Sequence, residues 1–283
     1  MNDFWQTSKR KISFQSKTLV MGILNVTPDS FSDGGNFLTF GKAVAQAVQM
    51  IEAGADIIDI GGESSRPNSE KVEIGEEIRR VVPVIEEITR RFDCPVSIDT
   101  SKSEVASKAL EAGAEIINDI SGMKFDENIG KVAAQTQAGI VLMHLRGSFE
   151  TMHKQKIEVD VVSEVISDLR DNIEKALAFG IRQENIALDV GFGFSKSFEQ
   201  NLELIAKIDK ICKEFLGFPV LTGTSRKSFI GKILDHAPPE NRLNGSIAAA
   251  LVCALKGVKI VRVHDVREMV EALKVVDEIK KFL

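Results

Sequence analysis

The strongest constraint on the fold is a repeated alternation of apolar runs with helix-length amphipathic segments. Eight runs have the length and composition of buried strands, at residues 19–26, 56–61, 95–99, 115–120, 139–144, 186–190, 219–222 and 258–263. Most of these runs are apolar throughout, as strands of a parallel sheet covered on both faces must be. Helical segments are predicted at residues 42–53, 75–92, 103–112, 159–179, 198–215, 246–255 and 266–283.

Eight such units in 283 residues predict an α/β fold, a single (β/α)8 TIM barrel. Residues 52–61 and 111–120 repeat one junction, a helix end followed by glycine and a strand, which supports a repeated architecture. A doubly wound open sheet is the alternative, but Gly-x-Gly-x-x-Gly does not follow the first strand. Ile12 and Phe14 alternate with polar neighbours and predict a short N-terminal β-hairpin within residues 1–17, plugging the barrel. We expect residues 1–283 to form one domain, since no linker divides them.

Composition narrows the classes of partner. The formal net charge is -5 without a basic stripe, which argues against nucleic-acid and membrane-surface binding. Cys94, Cys212 and Cys253 are odd in number and widely spaced, as expected for reduced, packed thiols. Residues 1–14 lack the apolar core of a signal peptide, and the apolar stretch 247–255 is too short to span a bilayer. We therefore expect a soluble, cytoplasmic protein.

Polar residues stand at the predicted C-terminal ends of nearly all strands, where barrels of this type place their working groups. They are Asn25, Asp59, Asp99, Asn118, His144, Asp189, Thr222, Arg262 and His264. Each alone could be a cap or an ion-pair partner. Because burying polar groups is costly without partners, one polar ligand at the barrel mouth explains the set better than separate structural roles do.

One group of these side chains suits a heterocycle. Asp99 and Asp189 are acceptors, Asn118 can donate or accept, and Lys227 is a donor. A carboxylate can accept two N–H bonds side by side from an amidine-like edge. A flat, nitrogen-rich ligand is therefore predicted.

A second group has no matching acidic cluster and suits a phosphate; it comprises Asn25, Arg66, Arg226, Arg262 and His264. The Asn25 carbonyl oxygen could bind Mg²⁺, which keeps most of its waters and needs few protein ligands. Residues 224–228 could be a helix start capped by Ser225. Cations in a first helical turn oppose the helix dipole, however, which favours an anion site there.

The loop at residues 25–35 is too long and too polar for a simple strand–helix connection. This loop resembles a specific segment of dihydropteroate synthases. Five further segments match that family in the same order, at residues 61–67, 98–100, 118–122, 223–228 and 262–264. The resemblance runs from about residue 19 to the C-terminus. Pterin-dependent methyltransferases share the barrel and pterin pocket but lack this combination.

The resemblance implies a homodimeric barrel that joins 4-aminobenzoate to (7,8-dihydropterin-6-yl)methyl diphosphate, giving 7,8-dihydropteroate and diphosphate for folate synthesis. The residues implied to hold the pterin are Asp99, Asn118, Asp189, Lys227 and, by stacking, Arg262. Those implied to bind diphosphate are Asn25, Ser65, Arg66, Arg262 and His264. Asn25 would also bind Mg²⁺. The two loops forming the aminobenzoate pocket would contribute Phe31, Ser65, Arg66 and Pro67.

Three positions depart from the family pattern. Ser65 replaces a usual threonine, Asn68 a usual glycine and Val190 a usual proline. Ser65 keeps the hydroxyl, and asparagine tolerates a left-handed backbone better than most residues. The expected consequence is altered aminobenzoate and sulfonamide affinity with the reaction unchanged. Two alternatives stay open from sequence alone, a non-catalytic pterin-binding paralogue and a pterin-dependent methyltransferase.

Overall fold

A two-stranded hairpin precedes the main body of the chain. The computed structural model describes residues 3–15, 17–27, 36–65, 69–152 and 160–282, without the side chains of residues 36–39. Strands β1 (Phe4–Gln6) and β2 (Lys11–Ser13) pair antiparallel, with Trp5 opposite Ile12. The predicted N-terminal hairpin is confirmed.

Eight parallel strands form a closed barrel within the described part of the chain. They are β3 (Leu19–Asn25), β4 (Ile57–Gly61), β5 (Val96–Asp99), β6 (Ile116–Asp119), β7 (Gly139–Met143), β8 (Ile186–Asp189), β9 (Val220–Thr222) and β10 (Ile260–Val263). Each strand pairs with the next, and β10 returns to β3 with Ile260 opposite Leu19. This closure confirms the predicted (β/α)8 barrel and excludes the doubly wound sheet.

Helices surround the barrel. Those in the described residues are α1 (Asn36–Glu52), α2 (Ile74–Arg91), α3 (Ser103–Glu111), α4 (Asn128–Thr136), α5 (Val161–Ala178), α6 (Phe198–Ala206), α7 (Ile208–Glu214), α8 (Ser228–Ile233), α9 (Leu243–Leu255) and α10 (Val266–Lys280). The sequence did not predict α4 or α8, and the single helix expected at residues 198–215 is two helices meeting at Lys207. Among these helices none has the length and apolar content that crossing a bilayer requires.

The lower end of the barrel interior is an apolar cluster that includes the hairpin. Its members are Trp5, Ile12, Phe14, Leu19, Met21, Ile57, Ile116, Val141, Ala187, Leu221 and Ile260. Trp5 is fully buried, and its Nε1 donates to the Asn185 carbonyl oxygen at 2.8 Å. The hairpin therefore plugs the lower end of the barrel, as predicted.

Strand periodicity then places polar groups above this cluster. Side chains two residues apart on a strand face the same side. Because Ile57, Ile116, Ala187 and Ile260 face inward, so do the polar residues two positions further along, which are Asp59, Asn118, Asp189 and Arg262. Asp99 also faces inward, since Val96 and Ile98 belong to the core between barrel and helices.

Candidate active site

One buried aspartate joins three strand ends at the upper part of the interior. Asp59 Oδ2 accepts hydrogen bonds from Arg262 Nε at 2.6 Å and from Asn118 Nδ2 at 2.9 Å. Arg262 Nη2 also donates to Asp99 Oδ2 at 2.6 Å. The barrel thus brings together Asp99, Asn118 and Arg262, three of the residues predicted to hold a pterin.

The charged side chains in this cluster shift one another's pKa values. Burial raises the pKa of Asp99, and the Arg262 guanidinium opposes that rise. Burial also disfavours the charged form of Arg262, but Asp59 and Asp99 outweigh it and raise the Arg262 pKa. Arg262 is therefore a fixed cation between two acids. A guanidinium has five N–H donors, so donors remain for a ligand after these two ion pairs.

A second part of the site lies on the segment that follows β8. Asp189 is buried, and its Oδ1 accepts the Gly191 backbone N–H at 2.8 Å. Lys227 Nζ lies 4.2 Å from the centroid of the Phe194 ring, a cation–π contact. Burial raises the pKa of Asp189, whereas burial lowers the pKa of Lys227 to about 8 despite the attraction of Asp189. The Asp189 carboxylate and the Lys227 ammonium therefore attract each other in this part of the site.

The segment 224–228 orients His264 but does not start a helix at Ser225. Helix α8 begins at Ser228, and Ser225 Oγ lies 3.0 Å from His264 Nδ1 and accepts the His264 backbone N–H at 3.2 Å. Arg226 has a left-handed backbone with φ 58 and pairs with Asp265, Nη2 to Oδ1 at 2.6 Å. Ser225 is therefore a contact of the predicted diphosphate ligand His264.

The predicted absence of acids near the second, cationic group is wrong. Arg226 pairs with Asp265, and Arg262 pairs with Asp59 and Asp99. These partners come from other strands and loops, so they are distant in the sequence. The cationic side chains nevertheless lie at the same end of the barrel as the predicted site.

Two of the strand-end residues, His144 and Thr222, do not face the barrel interior. His144 is two positions beyond the outward-facing Leu142, and its Nδ1 lies 2.8 Å from Lys196 Nζ behind the strand. Thr222 is likewise two positions beyond the outward-facing Val220. Both expectations failed because a strand's alternation decides which side each end residue faces.

The Lys102 ammonium group holds both ends of the segment from Glu63 to Val72, which carries Ser65. Lys102 Nζ donates to Glu63 Oε1 at 2.8 Å, to Glu77 Oε2 at 2.5 Å and to the Val72 carbonyl oxygen at 2.7 Å. Both ends of the segment are therefore held by one ammonium. Ser65 lines a cleft at the barrel mouth together with Glu63, Glu77, Asp99, Thr100, Ser101, Ile120 and Phe149. Phe31, Arg66 and Pro67 lie outside the described residues, as does Asn68.

Sequence reasoning missed several residues that contact the site. They are Ser225 beside His264, Phe194 beside Lys227, and Lys102 with its contacts to Glu63 and Glu77. Asp59 was predicted at a strand end, but its contacts with Asn118 and Arg262 were not. Phe194 follows Asp189 within a glycine-rich segment, which is a detectable signal. For Ser225 and Lys102 only the three-dimensional contacts are informative.

The donor set is compatible with Mg²⁺ held largely by a ligand. In the parts of the chain that the structure describes, no three His, Cys, Asp or Glu side chains are grouped as a metal site. Mg²⁺ bound by phosphate oxygens and water needs only one or two protein oxygens. Asn25 ends β3 in a half-buried position on the same edge of the barrel, so its amide oxygen fits that requirement.

Known proteins share both the sequence and the fold. A family model described as pterin binding enzyme matches residues 21–264. Dihydropteroate synthase of Synechocystis sp. is 47% identical over 261 residues, covering 92% of this chain and 90% of that protein.

Two solved structures extend the comparison. Xanthomonas albilineans dihydropteroate synthase with 4-aminobenzoic acid superimposes with a TM-score of 0.91 at 40% identity, covering 99% of each chain. The same enzyme in complex with 7,8-dihydropteroate gives 0.87 at 39% identity, covering 98% of each chain. The chain therefore belongs to the pterin-binding enzymes and, within them, to the dihydropteroate synthases.

Proposed function

We propose that this chain joins 4-aminobenzoate to (7,8-dihydropterin-6-yl)methyl diphosphate, releasing 7,8-dihydropteroate and diphosphate. The observation that carries the proposal is the convergence of Asp59, Asp99, Asn118 and Arg262 on the inner wall of the barrel. Relatives with this barrel have been solved with 4-aminobenzoic acid and with 7,8-dihydropteroate. Substrate and product of one condensation are thus both ligands of close homologues.

The pterin ring is held by Asp99, Asn118, Asp189 and Lys227. Asp189 and Asp99 accept ring N–H groups, and Lys227 donates to a ring acceptor. Arg262 stacks on the ring while its Nε and Nη2 atoms stay bonded to Asp59 and Asp99. The buried position of these acids strengthens each contact, because the local dielectric is low.

The diphosphate binds at the other end of this constellation, to Asn25, Ser65, Arg66, Arg262 and His264. Mg²⁺, held by the Asn25 amide oxygen, would neutralise charge on the leaving diphosphate. Arg262 and His264 share one face of β10 and its extension, two residues apart. They direct N–H donors to the oxygens on which negative charge grows as the bond breaks.

The reaction is a substitution at the methylene attached to the pterin. The C–O bond to diphosphate breaks, and the diphosphate leaves with the electron pair. The aromatic amine then attacks the resulting pterin-stabilised cation, forms the C–N bond and loses a proton. Asp99 and Asp189 stabilise that cation electrostatically. Phe31, Ser65, Arg66 and Pro67 form the aminobenzoate pocket and exclude water from the cation.

A release assay tests the function directly. Purified protein, pterin diphosphate, aminobenzoate and Mg²⁺ should yield diphosphate and dihydropteroate in equal amounts. Omission of aminobenzoate should abolish dihydropteroate formation. Tight pterin binding without product would favour a non-catalytic pterin-binding paralogue. Methyl transfer from a methylated pterin would favour a pterin-dependent methyltransferase.

The same proposal includes a homodimer acting in the cytoplasm. Helix α9 has no charged residue, and its outer surface exposes Val252 and Leu255 by 40% and 46%. An apolar helix face of this kind is typical of a subunit interface. Sedimentation equilibrium should give twice the 31.1 kDa chain mass. Val252→Asp with Leu255→Asp should give the single-chain mass, and a wild-type monomer would contradict the proposal.

A further inference from the structure

Asp59 contacts two site residues and is itself sealed from solvent. Its exposed fraction is 0%, and one oxygen, Oδ2, receives both Arg262 Nε and Asn118 Nδ2. It lies at the third position of β4, beneath the groups that face the mouth. Asp59 therefore lies behind Asn118 and Arg262, the side chains predicted to contact the ligand.

The chemistry of this contact determines the orientation of the Asn118 amide. An ionised carboxylate next to a guanidinium only accepts hydrogen bonds. The Asn118 amide must therefore turn its NH2 group to Asp59, as Nδ2 does at 2.9 Å. The opposite orientation would place two acceptor oxygens against each other and lose the hydrogen bond between Asn118 and Asp59, which is unfavourable in a buried position.

The amide oxygen of Asn118 is consequently left as an acceptor for a ligand. No described residue donates a hydrogen bond to it, and it is absent from the fully buried, unpartnered atoms of the described chain. Asn118 Oδ1 thus stays available at the mouth as an acceptor. Asn118 thus donates to Asp59 through its NH2 group and leaves its amide oxygen to accept from a ligand.

We infer that Asp59 is a positioning residue that sets the Asn118 amide so that the pocket accepts the 2-amino group of the pterin. This role rests on the proposed function, and it makes the substituent at position 2 of the ring the feature by which the site distinguishes ligands. A 2-amino ring supplies the N–H donor that Asn118 Oδ1 requires. A 2-carbonyl ring brings an oxygen against that oxygen and leaves it unpaired. Discrimination at a hydrogen-bonding site can be large, because the rejected ligand leaves buried polar groups unpaired.

The test compares two fluorescent ligands, pterin and lumazine, which carries a carbonyl in place of the 2-amino group. Asp59→Leu removes the carboxylate oxygen that accepts from Asn118, so the Asn118 amide can adopt either orientation. Fluorescence titration should show wild type preferring pterin, and the preference should fall at least about tenfold in the variant. Ser97→Ala is the control, since Ser97 is opposite Asp59 on β5 and its buried Oγ has no described partner.

The outcomes separate positioning from packing. An unchanged pterin-to-lumazine ratio in folded Asp59→Leu, or equal losses for both ligands, would overturn the inference. If Asp59→Leu does not fold, NMR of wild type decides: the Asn118 side-chain NH2 protons should stay protected from exchange with and without pterin. Loss of protection on binding would overturn it. A wild-type enzyme that prefers pterin but releases no diphosphate would keep this inference and remove the proposed condensation.

Discussion

The lower interior of the barrel is closed by eleven buried apolar side chains, whereas two residues further along the same strands the interior carries acids, an amide and an arginine. The lower end gains free energy from apolar burial. The upper end holds buried charges, whose desolvation costs offset much of their mutual attraction. Stability and binding are thus supplied by opposite ends of the same strands, and substitutions at the two ends should have separable effects.

The largest expected effect is on stability, at the lower end. Trp5→Ala removes a fully buried indole and should lower the free energy of unfolding by about 3–5 kcal/mol. Urea denaturation measures this loss. Trp5→Phe keeps most of the packing but leaves the Asn185 carbonyl without its donor, and should cost less. Pterin affinity should be unchanged in folded Trp5→Ala, and a parallel loss of affinity would break the separation of the two ends.

The next effect is on turnover, at the upper end. His264→Ala should lower kcat by roughly one to two orders of magnitude, because a hydrogen bond to a charged group contributes about 1.5–3 kcal/mol. Binding of the bare pterin ring should change little, since the partner of His264 is the leaving group. His236→Ala, at an exposed position, is the control. In crystals soaked with pyrophosphate, an anion should lie within hydrogen-bond reach of Arg262 and His264; an anion at another strand end would contradict the assignment.

A smaller effect concerns ring affinity. Asp189→Asn should weaken pterin diphosphate binding at least about tenfold, because a charge-assisted acceptor becomes a mismatched amide. Calorimetric titration measures the change, with the exposed Asp171→Asn as the matched control. Unchanged affinity would take Asp189 out of the pocket.

The smallest effect is a pH slope that only the upper end should show. Burial lowers the pKa of Lys196 to about 7 from an ordinary 10.5. Between those pH values the unfolded chain binds a proton that the folded chain has released, so Lys196 makes the unfolding free energy rise with pH. Lys196→Met should flatten this rise, whereas the exposed Lys210→Met should not. Equal slopes in wild type and Lys196→Met would show that Lys196 stays protonated in the fold.

Sequence periodicity predicted the barrel well because a parallel strand is apolar on both faces. Predicted and observed strand ends differ by at most two residues, as for 258–263 against Ile260–Val263. Helices α4 and α8 were missed because they have nine and six residues and contain glycine, so their helical signal is weak. Lys207, where α6 ends, is neither glycine nor proline, so no local signal marked that break.

Site prediction failed at strand ends where a shift of one residue along the strand decides which face a side chain occupies. His144 and Thr222 end their strands but face away from the interior, since the period of two reverses the face at each step. The partners of Arg262 were hidden for another reason. Asp59 and Asp99 lie 203 and 163 residues away in sequence, and only the closed barrel brings them within hydrogen-bond distance.

That closure has a consequence for synthesis on the ribosome. Strand β3 is synthesised before the six strands β4 to β9, and its partner β10 follows them and pairs with it through residues 260–263. The Trp5 indole likewise waits for a carbonyl 180 residues later. Until then the nascent chain exposes an unpaired strand edge and the apolar side chains of the lower cluster, both of which are prone to misassembly. The seam between β3 and β10 therefore forms only after strands β4 to β9 have been synthesised, so the barrel cannot close strand by strand as it is made.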